Sequence, residues 1–82
     1  MPTVLRFDGL RVATYPNDHR PAHVHVMGTS GEAVFFLNCP GGPPALRESY
    51  GFERRELGRI AKELARAVGT LCASWSTLHG HF

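Results

Sequence analysis

From Thr3 to Leu37 apolar and polar residues alternate with a period of two, interrupted by clusters of Gly, Pro, Asn and Asp. Side chains of an extended strand point alternately to opposite faces, so this pattern predicts short strands with one buried face. Four are expected. The first covers about Thr3 to Phe7 and the second about Leu10 to Tyr15. They are joined by Asp8-Gly9, because glycine tolerates the positive φ that a tight hairpin turn demands. Pro16-Asn17-Asp18-His19-Arg20-Pro21 follows as a polar loop, since each proline removes a backbone donor and fixes φ. The third strand runs near His23 to Met27, Gly28-Thr29-Ser30-Gly31 reverses the chain, and the fourth spans about Glu32 to Leu37. Residues 38–45, rich in Pro and Gly from Cys39 to Pro44, have little capacity for regular hydrogen bonding and read as a surface loop.

The period then changes. Leu57, Ile60, Ala61, Leu64, Val68, Leu71, Trp75 and Leu78 recur at spacings of three and four, which places them on one stripe of a helix over about 53–78. Gly69 is where a bend or break is expected, since glycine costs about 1 kcal/mol relative to alanine in a helix. A sheet with one apolar face needs a cover, and a long amphipathic helix needs a surface to lie on. The expected architecture is therefore α+β: a single domain, residues 1–82, in which a four-stranded, mainly antiparallel sheet carries one long C-terminal helix on one face. Alternation turns Val24 and Val26 into the core and sends His23, His25 and Met27 to the other side. Leu10, Val12 and Thr14 face inward by the same rule, with Arg11 and Tyr15 outward; Leu5 and Phe7 inward would leave Val4 and Arg6 outward.

Composition narrows the class. With 43% apolar and 20% charged residues the 82-residue chain is globular in type, with one modest core. No run approaches the roughly 20 apolar residues of a membrane span, and charges interrupt the N-terminus where a secretory segment would be apolar, so a cytoplasmic location is expected and a membrane partner is not. In that reducing compartment Cys39 and Cys72 are expected to remain thiols, with Cys39 exposed on its loop. The net charge is only +2, but eight Arg accompany a single Lys. Arginine favours planar, bidentate contact with phosphate or carboxylate, although a GC-rich genome produces the same bias.

The most unusual segment is Asp18-His19-Arg20-Pro21-Ala22-His23-Val24-His25-Val26, which holds three of the five histidines. His23 and His25, two apart on a strand, share a face at roughly 6 to 7 Å between Cα atoms, and the loop brings His19 within reach. Three chemistries fit. His19, His23 and His25 as neutral imidazoles suit Zn, Cu or Ni, given a fourth ligand or water. Two histidines, His23 and His25, can act as general base and acid on an RNA hydroxyl while Arg6, Arg11 or Arg20 neutralises the phosphate. Alternatively, Arg6, Arg11, Tyr15, His19, Arg20, His23 and His25 form a recognition surface for RNA, DNA or a protein. A half-buried strand whose imidazoles merely pack against neighbours is the plainest account. On the helix, Arg55, Arg59, Lys62 and Arg66 make a basic ridge that Glu56 and Glu63 can neutralise. Trp75 reads as core, and His79 with His81 as a frayed tail.

The opening Met1-Pro2-Thr3-Val4-Leu5-Arg6 with Gly9, the Asp18-His19-x-Pro21-x-His23-Val24-His25-Val26 stretch, Gly31-Glu32-Ala33-x-Phe35, and Gly51-Phe52 ahead of a helix carrying Leu57, Ile60 and Trp75 together resemble a family of small bacterial proteins called domain of unknown function 4160. The resemblance covers most of the chain. It implies a component of a two-gene unit similar to toxin-antitoxin modules, hence a small protein partner encoded nearby and contact with nucleic acid. The chain departs from the family pattern in its longer Cys39 to Pro44 loop and in a tail after Trp75 without an acidic residue. The leading expectation is a binding module that works through a His/Arg sheet face. The alternative is a His-dependent ribonuclease or metal-assisted hydrolase using His19, His23 and His25. A homodimer would bury apolar surface that so small a core leaves exposed.

Overall fold

The computed structural model describes residues 3–81; Met1, Pro2 and Phe82, which belong to the opening and closing segments read above, lie outside them. Strands β1 (Thr3–Phe7), β2 (Leu10–Ala13), β3 (His23–Met27), β4 (Glu32–Phe36) and β5 (Ala45–Tyr50) precede helices α1 (Arg54–Arg66) and α2 (Val68–His79). The strands lie side by side in chain order, and each is antiparallel to its neighbour. The α+β class and the antiparallel sheet follow the sequence pattern. Two features do not.

Among the described residues there are five strands rather than four. β5 is an edge strand exposed along nearly its whole length, so it buries no alternate residues and Ala45-Leu46-Arg47-Glu48-Ser49-Tyr50 carries no period-two signal. The loop predicted to reach residue 45 ends where β5 begins. The register of β4 on β5 shifts between Val34, opposite Glu48, and Phe35, opposite Leu46, which makes Arg47 the extra residue of a bulge. Charges and a bulge are devices that discourage an edge from pairing with further strands.

There are two helices rather than one. A single helix from 54 to 79 would run about 39 Å, whereas the longest dimension of the molecule is 33 Å. The chain breaks at Ala67 (φ −109°, ψ 11°), two residues before the expected Gly69, and α2 buries Leu71, Cys72 and Trp75. At the start of α1 the Glu53 N–H donates to Glu56 Oε1 at 3.0 Å, satisfying a donor that the helix leaves free.

The core joins Val12, Val24, Val26, Ala33, Phe35 and Leu37 of the sheet layer to Ile60 and Leu64 of α1 and Leu71 and Trp75 of α2, all buried. Cross-strand partners Val12↔Val26↔Ala33 and Val24↔Phe35 share this face, as alternation requires. Burying a side chain of this size stabilises the fold by about 1.5–3 kcal/mol. A register shift between Thr3 and Leu5 lets Val4, Leu5 and Phe7 all pack against the core, so Val4 does not turn outward as expected. Leu78, assigned to the apolar stripe, is exposed instead.

Cys39 and Cys72 are joined in a disulfide across a separation of 33 residues. This corrects the expectation of two thiols, and Cys39 is half-buried rather than exposed. The bond ties the Pro/Gly loop to α2, a juxtaposition of distant segments that spacing alone does not reveal. Among the described residues no helix is long and apolar enough to cross a membrane.

Candidate functional site

The sheet face turned away from the core is read from the cross-strand pairs. One row runs Arg6, Arg11, Met27, Glu32, Tyr50; the next runs Ala13, His25, Val34, Glu48; His23 lies opposite Phe36. Arg6 is exposed, and Arg11, His25 and Met27 are half-buried. Arg11 Nη2 and Tyr15 Oη each donate to Met27 Sδ at 3.5 Å, and the Tyr15 ring meets the His25 ring edge-on at 4.9 Å. At the far end of the top row the negative charge of Glu32 holds the Tyr50 phenol above its ordinary pKa of 10.0.

The His23 end of this face is not open. His23 is 6% exposed, and its ring lies 5.2 Å from that of Trp75, which is itself stacked on His79 at 3.8 Å. The indole N–H of Trp75 donates to the His81 carbonyl at 3.1 Å, and His79 Nδ1 donates to the Trp75 carbonyl at 3.1 Å. His79 and His81 are thus the fitted end of α2 rather than a frayed tail. Trp75 is core, as its place on the stripe predicted.

Asp18 is the hub of the site. A backbone bond from the Asp18 N–H to the Tyr15 carbonyl closes a turn, and Asp18 Oδ2 accepts from the Tyr15 N–H at 3.3 Å. Short polar side chains that bond their own turn in this way hold it in shape. The same Oδ2 lies 3.0 Å from His25 Nε2 and 3.4 Å from His23 Nε2. His23 Nδ1 sits 2.9 Å from the Pro21 carbonyl, which can only accept, so Nδ1 carries the hydrogen. In the neutral ring Nε2 then presents a lone pair toward a carboxylate. That contact becomes favourable when a cation, either a second proton or a metal ion, sits between them.

Among the described residues, Asp18, His23 and His25 form a group whose ligand atoms all lie within 4.8 Å of one another. With metal–ligand bonds of about 2.0–2.2 Å, the edge of a tetrahedral site is roughly 3.4 Å, so the two measured Asp–His separations already approach coordination geometry. The Pro21 carbonyl does for His23 what an outer hydrogen-bond acceptor does for a ligating histidine, fixing its tautomer and ring plane. His19 does not join this group. It lies exposed on the rim, and Asp18 takes the place that the sequence reading gave it.

The group opens onto a cleft of about 370 Å³ lined by Asn17, Asp18, His19, Arg20, Pro21, His23, His25, Phe36 and Arg47. Arg47 lies over the Phe36 ring at 5.9 Å, with only a loose ion pair to Glu48 at 3.8 Å. Of the predicted binding residues, His19, Arg20, His23 and His25 line the cleft, whereas Arg6, Arg11 and Tyr15 belong to the sheet face beside it. Sequence reasoning missed Asp18, Phe36 and Arg47 as site residues. Asp18 had a signal, since it opens the histidine segment; Arg47 had none, because the strand that carries it was not recognised. On α1, Arg59, Lys62, Glu63 and Arg66 line a separate groove with Asp8, where Arg66 pairs with Glu63 at 3.6 Å, so that face is partly self-neutralised.

Neither the curated proteins nor the solved structures contain a match to this chain. A family model does match, over residues 9–76, a span that includes Asp18, His23, His25, Phe36 and Arg47, and the chain accordingly belongs to the family described as Domain of unknown function (DUF4160).

Proposed function

We propose that this chain binds one divalent transition-metal ion through Asp18, His23 and His25 and uses it for metal-assisted hydrolysis in the adjoining cleft. The observation that supports this reading best is the convergence of one carboxylate oxygen on two imidazoles, one of them locked by the Pro21 carbonyl with its free nitrogen turned to the carboxylate. Three ligands from the protein leave coordination positions for water and substrate, the arrangement that separates catalytic from structural sites. Two imidazoles with one carboxylate suit zinc, nickel or ferrous iron better than magnesium or calcium, which prefer all-oxygen shells. Held by Asp18, His23 and His25, such an ion would supply the Lewis acidity that lowers the pKa of a bound water toward neutrality. His23 is buried and Asp18 and His25 are half-buried, which strengthens their electrostatics relative to open solvent.

Calorimetric titration of the purified, untagged chain with Zn²⁺ tests the reading. One ion per chain is expected, with affinity at least about tenfold weaker in Asp18→Asn and in His25→Ala. His19→Ala should bind as the parent does. Binding that ignores Asp18 and His25 would leave a structural ion pair and nothing more.

The sheet face beside the cleft supports a second reading, recognition of a partner. Arg6 and Arg11 are adjacent in the cross-strand row, and both Arg11 and Tyr15 contact Met27. A surface of cations and an aromatic ring is the kind that tracks single-stranded RNA. Retention of an RNA oligonucleotide that falls in Arg6→Glu and Arg11→Glu, with metal binding intact, would favour it. A small protein partner, if co-expression yields one, should compete for the same residues.

A further inference from the structure

The walls of the cleft carry an asymmetry of charge that the metal ligands do not explain. Asp18 is its only carboxylate, and that group faces the two imidazoles. Arg20, from the loop between β2 and β3, and Arg47, from the bulge of β5, line the same cavity from different parts of the fold. Arg47 is the extra residue of that bulge, and a bulge re-aims a side chain that a regular strand would send elsewhere. Its place over the Phe36 ring holds the guanidinium near the cleft, with part of its hydrogen-bonding fork unused by the loose contact to Glu48. Arg20 is exposed and lacks any carboxylate contact within ion-pair distance among the described residues.

With two arginines against one carboxylate among its described lining residues, the cavity favours an anion, and a divalent cation held by Asp18, His23 and His25 would add to that preference. A carboxylate presents two oxygens in one plane and is satisfied by a single guanidinium. A phosphoryl group presents three oxygens in three directions and can meet two guanidinium groups and a metal ion together. A volume of about 370 Å³ exceeds what a bare phosphate ion fills and lies in the range of small-molecule sites.

We infer that the cleft takes the phosphoryl group of a phosphate ester, anchored by Arg20 and Arg47 beside the metal ligands. This inference rests on the metal-assisted hydrolase reading for its chemistry, though not for anion binding itself. In the reaction, the oxygen of water bonds to phosphorus, and the bond from phosphorus to the ester oxygen breaks. The departing alkoxide takes up the proton lost by water, and nothing is oxidised or reduced. A monoester offers all three terminal oxygens to this site, whereas a diester offers two and must also fit a second substituent, so the monoester is the fuller match.

The test uses the full chain, with and without one equivalent of Zn²⁺, and three probes: inorganic phosphate for binding, and para-nitrophenyl phosphate and bis-para-nitrophenyl phosphate for turnover. Inorganic phosphate should bind, and Arg47→Ala and Arg20→Ala should each weaken it about tenfold while leaving Zn²⁺ affinity unchanged. Arg47→Lys should recover only part of the loss, because a point charge cannot offer the planar fork. Hydrolysis should require Zn²⁺, and the preferred ester identifies the natural class. Phosphate binding that persists in both arginine variants, or acetate binding as tightly as phosphate, would overturn the inference. If Zn²⁺ fails to bind while phosphate still depends on both arginines, the hydrolase reading falls and the anion site stands; if Zn²⁺ binds and phosphate does not, the reverse holds.

Discussion

Gly31 is buried against the turn that leads out of β5. A Cβ at Gly31 would collide with the Tyr50 carbonyl oxygen and lie 2.8 Å from the Gly51 carbonyl carbon, and Gly51 itself has φ of +82°. Backbone meets backbone here, so nothing flexible can give way. Gly31→Ala should destabilise the fold by about 1–3 kcal/mol, read as a lower midpoint in urea with unchanged slope. Tyr50 offers a second check. Its phenol is held above the usual value chiefly by the charge of Glu32, so the folded state keeps that proton longer than the unfolded chain does. The associated stability is present below pH 10 and fades as pH climbs through the raised value. In a Tyr15→Phe background, Glu32→Gln should move the ultraviolet titration of Tyr50 downward toward the ordinary phenol value. The histidine pair was legible at this scale because a strand of type His-Val-His-Val places both rings on one side whatever surrounds them. Asp18 stands in plain view at the head of the histidine segment, but the turn it closes on its own backbone, which brings its carboxylate to the rings, looks in one dimension like any polar loop.

At the scale of elements, the strands with one buried face announced themselves, and β5 did not. The strand signal is a signal of burial, and an edge that buries nothing emits none. The helical stripe was visible throughout, but its division at Ala67 follows from the size of the body it covers and not from local propensity. The same holds for the disulfide, which links a loop to a helix that the chain separates by 33 residues. Closing a loop of that length removes enough freedom from the unfolded chain to stabilise the fold by about 3–4 kcal/mol. Reduction with dithiothreitol should therefore lower the melting temperature, and Cys39→Ser/Cys72→Ser should be insensitive to the reductant. A melt unchanged by reduction in the parent would mean that the cross-link adds nothing. Trp75 ties helix to site: Trp75→Ala should cost about 3–5 kcal/mol through the cavity it leaves, and should also weaken Zn²⁺ binding by freeing the His23 ring.

At the scale of the whole molecule, a domain of 82 residues has little stability to spare, so a bound ion should be felt everywhere. An ion at a hundred times its dissociation constant adds about 2.7 kcal/mol. Zn²⁺ should accordingly raise the melting temperature of the parent chain by several degrees and leave Asp18→Asn where it was. Differential scanning calorimetry with and without a chelator measures both.

The stretch shared with the family ends at residue 76, three positions short of His79 and five short of His81. The cap over the buried face of Trp75, and through it the backstop behind His23, is therefore furnished by residues beyond the matched span. For handling this protein the practical lesson is to attach affinity handles at the front, where they cannot tug on the clasp.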